Sequence, residues 1–301
     1  MGNCAGYCNG QQDVDEPGQV RQSFNQRDLQ NNHNDFEKRY GKLVETDLKG
    51  DRQEYAQPTR KGEKGGRAGS EEVDENGRVN KGPVTLKNGA TYQGQWLNGL
   101  RDGFGVQMWP DGSKYEGQWR LDKANGQGKL VHADGDVYEG HWVNDKAEGE
   151  GTYSHANGAF YEGEWYDDKQ HGQGVESWPD GARYEGSYEE GKKEGQGRLT
   201  FADGSYYEGQ FHQNEISGYG DYYWPDGKSY SGNWARNKMD GYGVLKWRDG
   251  KKYEGNFVND KREGQGTFMW ADGRKYIGEW KSGKQHGIGT YISKDGVSKR
   301  G

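Results

Sequence analysis

From Tyr92 onward the chain repeats itself every 23 residues, and this fixed period limits the possible folds more than any other feature. A Tyr opens each unit, at Tyr92, Tyr115, Tyr138, Tyr161, Tyr184, Tyr207, Tyr230, Tyr253 and Tyr276. Counting from that Tyr, Gly occupies positions 3, 12, 14 and 21 in all nine units. Position 5 is always aromatic: Trp96, Trp119, Trp142, Trp165, Tyr188, Phe211, Trp234, Phe257 and Trp280. Position 20 is Asp except at Asn157. Strict repetition of this kind means that each unit is one small element that buries its apolar surface only against its neighbours.

Within a unit, Tyr115-Glu116-Gly117-Gln118-Trp119 alternates aromatic or Gly with polar residues, the period-two pattern of a strand with one aromatic face. Six mostly polar residues are expected to follow. A second strand is then expected from the Gly-x-Gly at 12 to 14 as far as position 18. Trp109-Pro110-Asp111-Gly112, Trp178-Pro179-Asp180-Gly181 and Trp224-Pro225-Asp226-Gly227 read as type I turns closed by a left-handed Gly. Gly inside strands implies close approach to the backbone. The rings at positions 1 and 5 are the expected intruders over positions 3, 12 and 14. The expected fold is all-β: an elongated single-layer antiparallel β-sheet of tandem 23-residue hairpins, advancing about 9.5 Å per repeat. Residues 80–301 form the array, with a half-repeat at 80–91 (its edge blunted by Pro83) and nine repeats at 92–298.

Composition supports this reading. Val, Leu, Ile and Phe make up 36 of 301 residues, too few for ordinary globular cores, whereas all 11 Trp and 18 of 21 Tyr lie at or after Tyr92. Of the net charge of −7, residues 1–79 carry −3, which leaves −4 on the array. A negative balance disfavours nucleic acid. No apolar run approaches the length that spans a bilayer.

Residues 1–79 are polar and expected to be a largely disordered, acylated tail. Within it, Phe36, Tyr40, Leu43 and Val44 share one face of a short expected helix. Met1-Gly2-Asn3-Cys4 is the start expected of an N-myristoylated chain, although Gly6 stands where Ser or Thr is usual. One myristoyl chain binds membranes only marginally, so a second signal is required. The chain's two Cys, Cys4 and Cys8, lie within six residues of Gly2 and would supply it by S-palmitoylation.

The unit Tyr161-Glu162-Gly163-Glu164-Trp165…His171-Gly172-Gln173-Gly174 resembles the MORN repeat, and all nine units match. Departures are mild: Ser231 and Ile277 replace Glu at position 2, and three other aromatics replace Trp at position 5. The resemblance implies a single-layer sheet, scaffolding beneath membranes or in cytoskeletal assemblies, self-association, and a disputed affinity for phosphoinositides.

No pattern points to catalysis. Gly227-Lys228-Ser229 lacks the upstream Gly of a phosphate-binding loop. The position-2 Glu side chains recur about 9.5 Å apart, too far for a carboxylate pair, and are expected to pair with nearby Lys or Arg on the solvent face. The candidate binding surface is the aromatic face: Tyr92, Trp96, Tyr115, Trp119, Tyr138, Trp142, Tyr161, Trp165, Tyr184, Tyr207, Tyr230, Trp234, Tyr253, Tyr276 and Trp280.

The expected function is a non-enzymatic, membrane-tethered scaffold on the cytoplasmic face of a plasma, organelle or ciliary membrane. It binds protein partners, a second copy of the chain among them. No cofactor, metal, nucleic acid or small-molecule substrate is expected. The alternative is a phosphoinositide-binding module acting through the array itself, which the array's net charge disfavours.

Overall fold

A computed structural model of the chain describes residues 73–301. The tail features at Gly2, Cys4, Cys8 and residues 35–44 lie outside them. The described residues fall into two compact units, 73–192 and 193–301. Both are all-β, built of antiparallel strands that pair in sequence order without a helix among the described residues.

Each repeat contributes two strands. In the repeat opened by Tyr115 they are Lys114–Arg120 and Lys123–Val131. The second strand therefore begins at position 9, three residues earlier than expected, and only two residues connect it to the first. Both connecting residues, Leu121 and Asp122, have left-handed φ, 50° and 67°. Two consecutive positive φ values define the type I′ turn, whose twist matches that of the flanking strands. The same pair is left-handed at Asn144-Asp145, Asp167-Asp168, Gln213-Asn214, Arg236-Asn237 and Asn259-Asp260.

The other connection matches the sequence expectation. Gly112 N–H donates to Trp109 O, and Trp109 N–H donates to Ser113 O, closing a type I turn with Gly112 at φ 96°. Ahead of the nine repeats, the strand Val79–Thr85 pairs with Thr91–Leu97, and Val79 forms an isolated bridge to Val73. The sheet thus starts slightly before the expected boundary at residue 80.

Register explains the glycines. Gly117 pairs with Gly128, but Trp119 pairs with Ala124, so the second strand carries a bulge between them. Gly126 sits in that bulge at φ 100°, which a residue bearing Cβ rarely adopts. Its need for Gly is therefore conformational, and its nearest side chain is Gln118, not a ring. Gly128 does answer to a ring, and Gly117 to the facing backbone of Gly128 as well as to that ring. A Cβ on Gly117 would come within 2.7 Å of Tyr115 Oη, and one on Gly128 would overlap the same phenol.

Candidate interaction surfaces

All fifteen aromatics proposed as a binding face are buried, with Tyr276 the least so at 9% exposure. They form a ladder of edge-to-face contacts. Tyr115 meets Trp119 of its own repeat at 5.0 Å and Trp142 of the next at 5.4 Å, with interplanar angles of 83° and 89°. Tyr138 repeats the arrangement with Trp142 and Trp165, and Tyr253 with Phe257 and Trp280. Such T-shaped pairs add about 0.5–1.5 kcal/mol each beyond their burial.

The polar ends of the rings are also occupied. Tyr115 Oη donates to the Gln118 carbonyl at 3.0 Å, and Trp142 Nε1 donates to the Gly128 carbonyl of the preceding repeat at 3.1 Å. Burial pushes the Tyr92, Tyr115, Tyr138, Tyr207, Tyr230 and Tyr253 phenols well above their ordinary range. Trp96, first in the series, buries Nε1 with no acceptor; the corresponding carbonyl would belong to residue 82, where the edge strand's register shifts. The aromatic row is interior packing, and its burial removes it as an open docking surface. Period-two alternation identified the face but carried no information on how completely neighbouring rings cover one another.

A second inter-repeat contact escaped the sequence reading. Position 8 is always Asp, Asn or Gly. Ala124 N–H donates to Asp145 Oδ1 of the next repeat at 2.7 Å, and Asp145 N–H donates back to Ala124 O at 3.0 Å. Asn214 does the same for Lys193, Asn237 for Ile216 and Asp260 for Met239. The bulge separates these backbone groups from the ordinary ladder, and the next repeat's turn satisfies them. Burial pushes the Asp145 carboxyl up to about 6, against the Ala124 N–H bond and the positive charges of Arg101 and Lys123. Burial also raises Asp260. The restriction of position 8 to Asp, Asn or Gly was the available signal, and Asn98-Gly99 spells the type I′ motif outright.

Individual repeats carry buried polar groups. Asp136 accepts from Ala156 N–H at 2.9 Å and Tyr153 Oη at 2.9 Å, and lies 3.0 Å from His155 Nδ1. Burial would raise its pKa, but these partners hold the carboxyl below its ordinary value. The Arg101 guanidinium stacks 4.2 Å from the Trp119 ring centre, and Arg262 4.5 Å from that of Trp280. Lys228, of the loop-like Gly-Lys-Ser, lays its ammonium 4.1 Å over Trp224, and burial lowers its pKa. Among the described residues, no three His, Cys, Asp or Glu side chains gather as a metal site.

The solvent face behaves as expected at position 2. Glu116, Glu139, Glu185, Glu208 and Glu254 pair with Lys114, Lys129, Arg183, Arg198 and Lys252. Exposed pairs of this kind contribute at most about 1 kcal/mol each. The same side of the strands exposes Phe104, Met108, Tyr219, Tyr242 and Ile288. This outer row falls outside the aromatic positions 1 and 5 that mark the repeat in the sequence.

Comparison with known proteins places the array. A search of curated proteins finds no match. Among solved structures, the chain is similar to the TCP10 domain of Danio rerio CPAP, with 11% identity and TM-score 0.38 over 65% of this chain and 93% of that one. It is also similar to the Drosophila melanogaster SAS-4 TCP domain complexed with a proline-rich motif of Ana2, with 15% identity and TM-score 0.32 over 56% and 85%. Scores this low carry no functional weight. The MORN repeat model matches residues 92–114, 115–137, 138–160, 161–183, 184–206, 207–229, 230–252, 253–273 and 276–298. With nine consecutive units matched over most of its length, the chain belongs to the MORN repeat family.

Proposed function

We propose that the protein is a non-enzymatic scaffold, held on the cytoplasmic face of a membrane by acylation of Gly2 with Cys4 and Cys8, and that its array binds other proteins. Repeats of this family form a non-enzymatic binding module. The observation that carries the reading is how the array uses its chemical groups. Ring faces, indole N–H groups and bulge backbone groups are spent on neighbouring repeats and the position-1 phenol hydroxyls on their own, which leaves the outer faces for protein contact. The Met1-Gly2-Asn3-Cys4 start and the nearby Cys8 support the anchor, because a myristoyl chain and a palmitoyl chain together hold a protein where one alone does not.

Metabolic labelling with alkyne analogues of myristate and palmitate, followed by membrane fractionation, tests the anchor. The expected result is myristate incorporation lost in Gly2→Ala, palmitate incorporation lost in Cys4→Ser/Cys8→Ser, and both variants moved to the soluble fraction. Unlabelled wild-type protein, or variants that stay on the membrane, would refute it.

A further inference from the structure

In the unit 193–301, the face opposite the ring ladder carries its own aromatic row. Position 13 is Gln or Glu in five repeats but Tyr219 and Tyr242 in the sixth and seventh. These two rings are 57% and 52% exposed. Tyr219 pairs across the sheet with Asn233, and Tyr242 with Asn256, and both Asn are exposed. Asn233 Nδ2 donates to the Tyr242 carbonyl at 3.1 Å, tying the two halves of the row together. Four adjacent strands therefore present Tyr, Asn, Tyr, Asn in line.

The spacing of this row selects a ligand. Strands about 4.7–4.9 Å apart put equivalent points of Tyr219 and Tyr242 about 9.5 Å apart. A polyproline II helix has three residues per turn at about 3.1 Å each, so it presents the same side every ~9.3 Å. A proline at every third position would meet one Tyr and then the other. Such a helix has no internal hydrogen bonds, so its carbonyls are free to accept from the amides of Asn233, between the rings, and of Asn256, beyond Tyr242.

Charge adds a second requirement. Two residues from each ring along its own strand stand Asp221, which pairs across to Ser231, and Asp240, whose carboxylate accepts from Asn259 N–H at 3.1 Å, whereas Glu254 is taken up by Lys252 and by the Tyr242 hydroxyl. A Lys or Arg beside the prolines would complement these carboxylates. Residues 1–301 hold no such segment, because their six prolines, at 17, 58, 83, 110, 179 and 225, are scattered singly.

We propose that the Tyr219–Tyr242 row docks a proline-rich, polyproline II segment of another protein, with prolines three residues apart and a basic residue beside them. The proposal rests on the scaffold reading and names the chemistry of its partner, but it does not depend on the lipid anchor.

The test uses the full, unacylated chain in solution, titrated with a fluorescein-labelled peptide of Arg followed by Pro-Pro-Ala triplets and read by anisotropy. Saturable binding is expected, weakened at least tenfold by Tyr219→Ala or Tyr242→Ala and unchanged by Tyr166→Ala, an exposed Tyr of the other unit. Asp221→Asn with Asp240→Asn should weaken this peptide but not one whose Arg is replaced by Ala. Equal binding of a peptide with the same composition but no prolines three apart, no saturation at millimolar peptide, or indifference to both Tyr substitutions would overturn the proposal. Failure of the scaffold reading registers separately, as wild-type proximity labelling that recovers no array partner, and failure of the lipid anchor in the fractionation of Gly2→Ala; this titration touches neither.

Discussion

The phenol of Tyr115 occupies the space where residue 128 would carry a Cβ, so the ring at position 1 and the bare backbone at position 14 define one another. The same relation holds between Tyr138 and Gly151, Tyr230 and Gly243, and Tyr253 and Gly266. Gly128 has no left-handed φ to protect, so its substitution reports sterics alone. Gly128→Ala is expected to destabilise the array by about 3 kcal/mol through overpacking. In a Tyr115→Leu background the added cost should fall by about 1–2 kcal/mol, read as a double-mutant cycle in urea titrations. Strict additivity would break the link.

Trp142 couples two repeats through its ring and through the 3.1 Å bond from Nε1 to Gly128 O. Phe211 and Phe257 fill the same position elsewhere without that donor. Trp142→Phe should therefore cost only about 1 kcal/mol, the net worth of one hydrogen bond. Trp142→Ala should cost about 3–5 kcal/mol from the cavity left behind. Thermal or chemical denaturation separates the two, and similar losses would show that the ring itself contributes little.

The Asp145 carboxyl, pushed up to about 6 by burial, makes stability depend on pH. Its folded pKa lies above the unfolded value of 3.8, so its contribution is fully present below about pH 4 and is lost as pH rises through 6. Asn in its place keeps the acceptor for Ala124 N–H, as Asn214 does for Lys193. Asp145→Asn should then be more stable than wild type by about 2 kcal/mol at pH 7.5, with the advantage vanishing near pH 4. A difference independent of pH would assign the effect to something other than this charge.

Asp136 answers Ala156 N–H, Tyr153 Oη and His155 Nδ1 from one buried carboxylate. Removing it in Asp136→Ala takes an acceptor from all three and should cost about 2–3 kcal/mol. The companion Tyr153→Phe, which removes one donor with its need, should cost clearly less. The order of the two midpoints in urea is the readout.

Much of the architecture was legible because the period, the Trp-Pro-Asp-Gly turns and the Gly-x-Gly pairs each follow from a local backbone requirement. The type I′ turn was hidden because Leu121-Asp122 and Arg236-Asn237 are not the glycine pairs that usually announce it. Their left-handed backbone is held by tertiary bonds, such as Leu121 N–H to Asp102 and Asn237 N–H to Ile216 O. Burial of the aromatic face was illegible for a related reason. One strand shows which side its rings take, but only the next repeat's Trp covers them, as Trp142 covers Tyr115. Tyr219 and Tyr242 were overlooked because position 13 lies outside the aromatic pattern that defines the repeat, which is why they stand out on the solvent side.

Proximity labelling of wild type beside Gly2→Ala in the native cell tests most directly the claim that acyl chains place the molecule and the repeats choose its company. The wild type should label membrane neighbours together with array partners. The variant should lose the membrane set while keeping partners that bind the repeats. An unchanged membrane location with an unchanged set of neighbours would contradict the account.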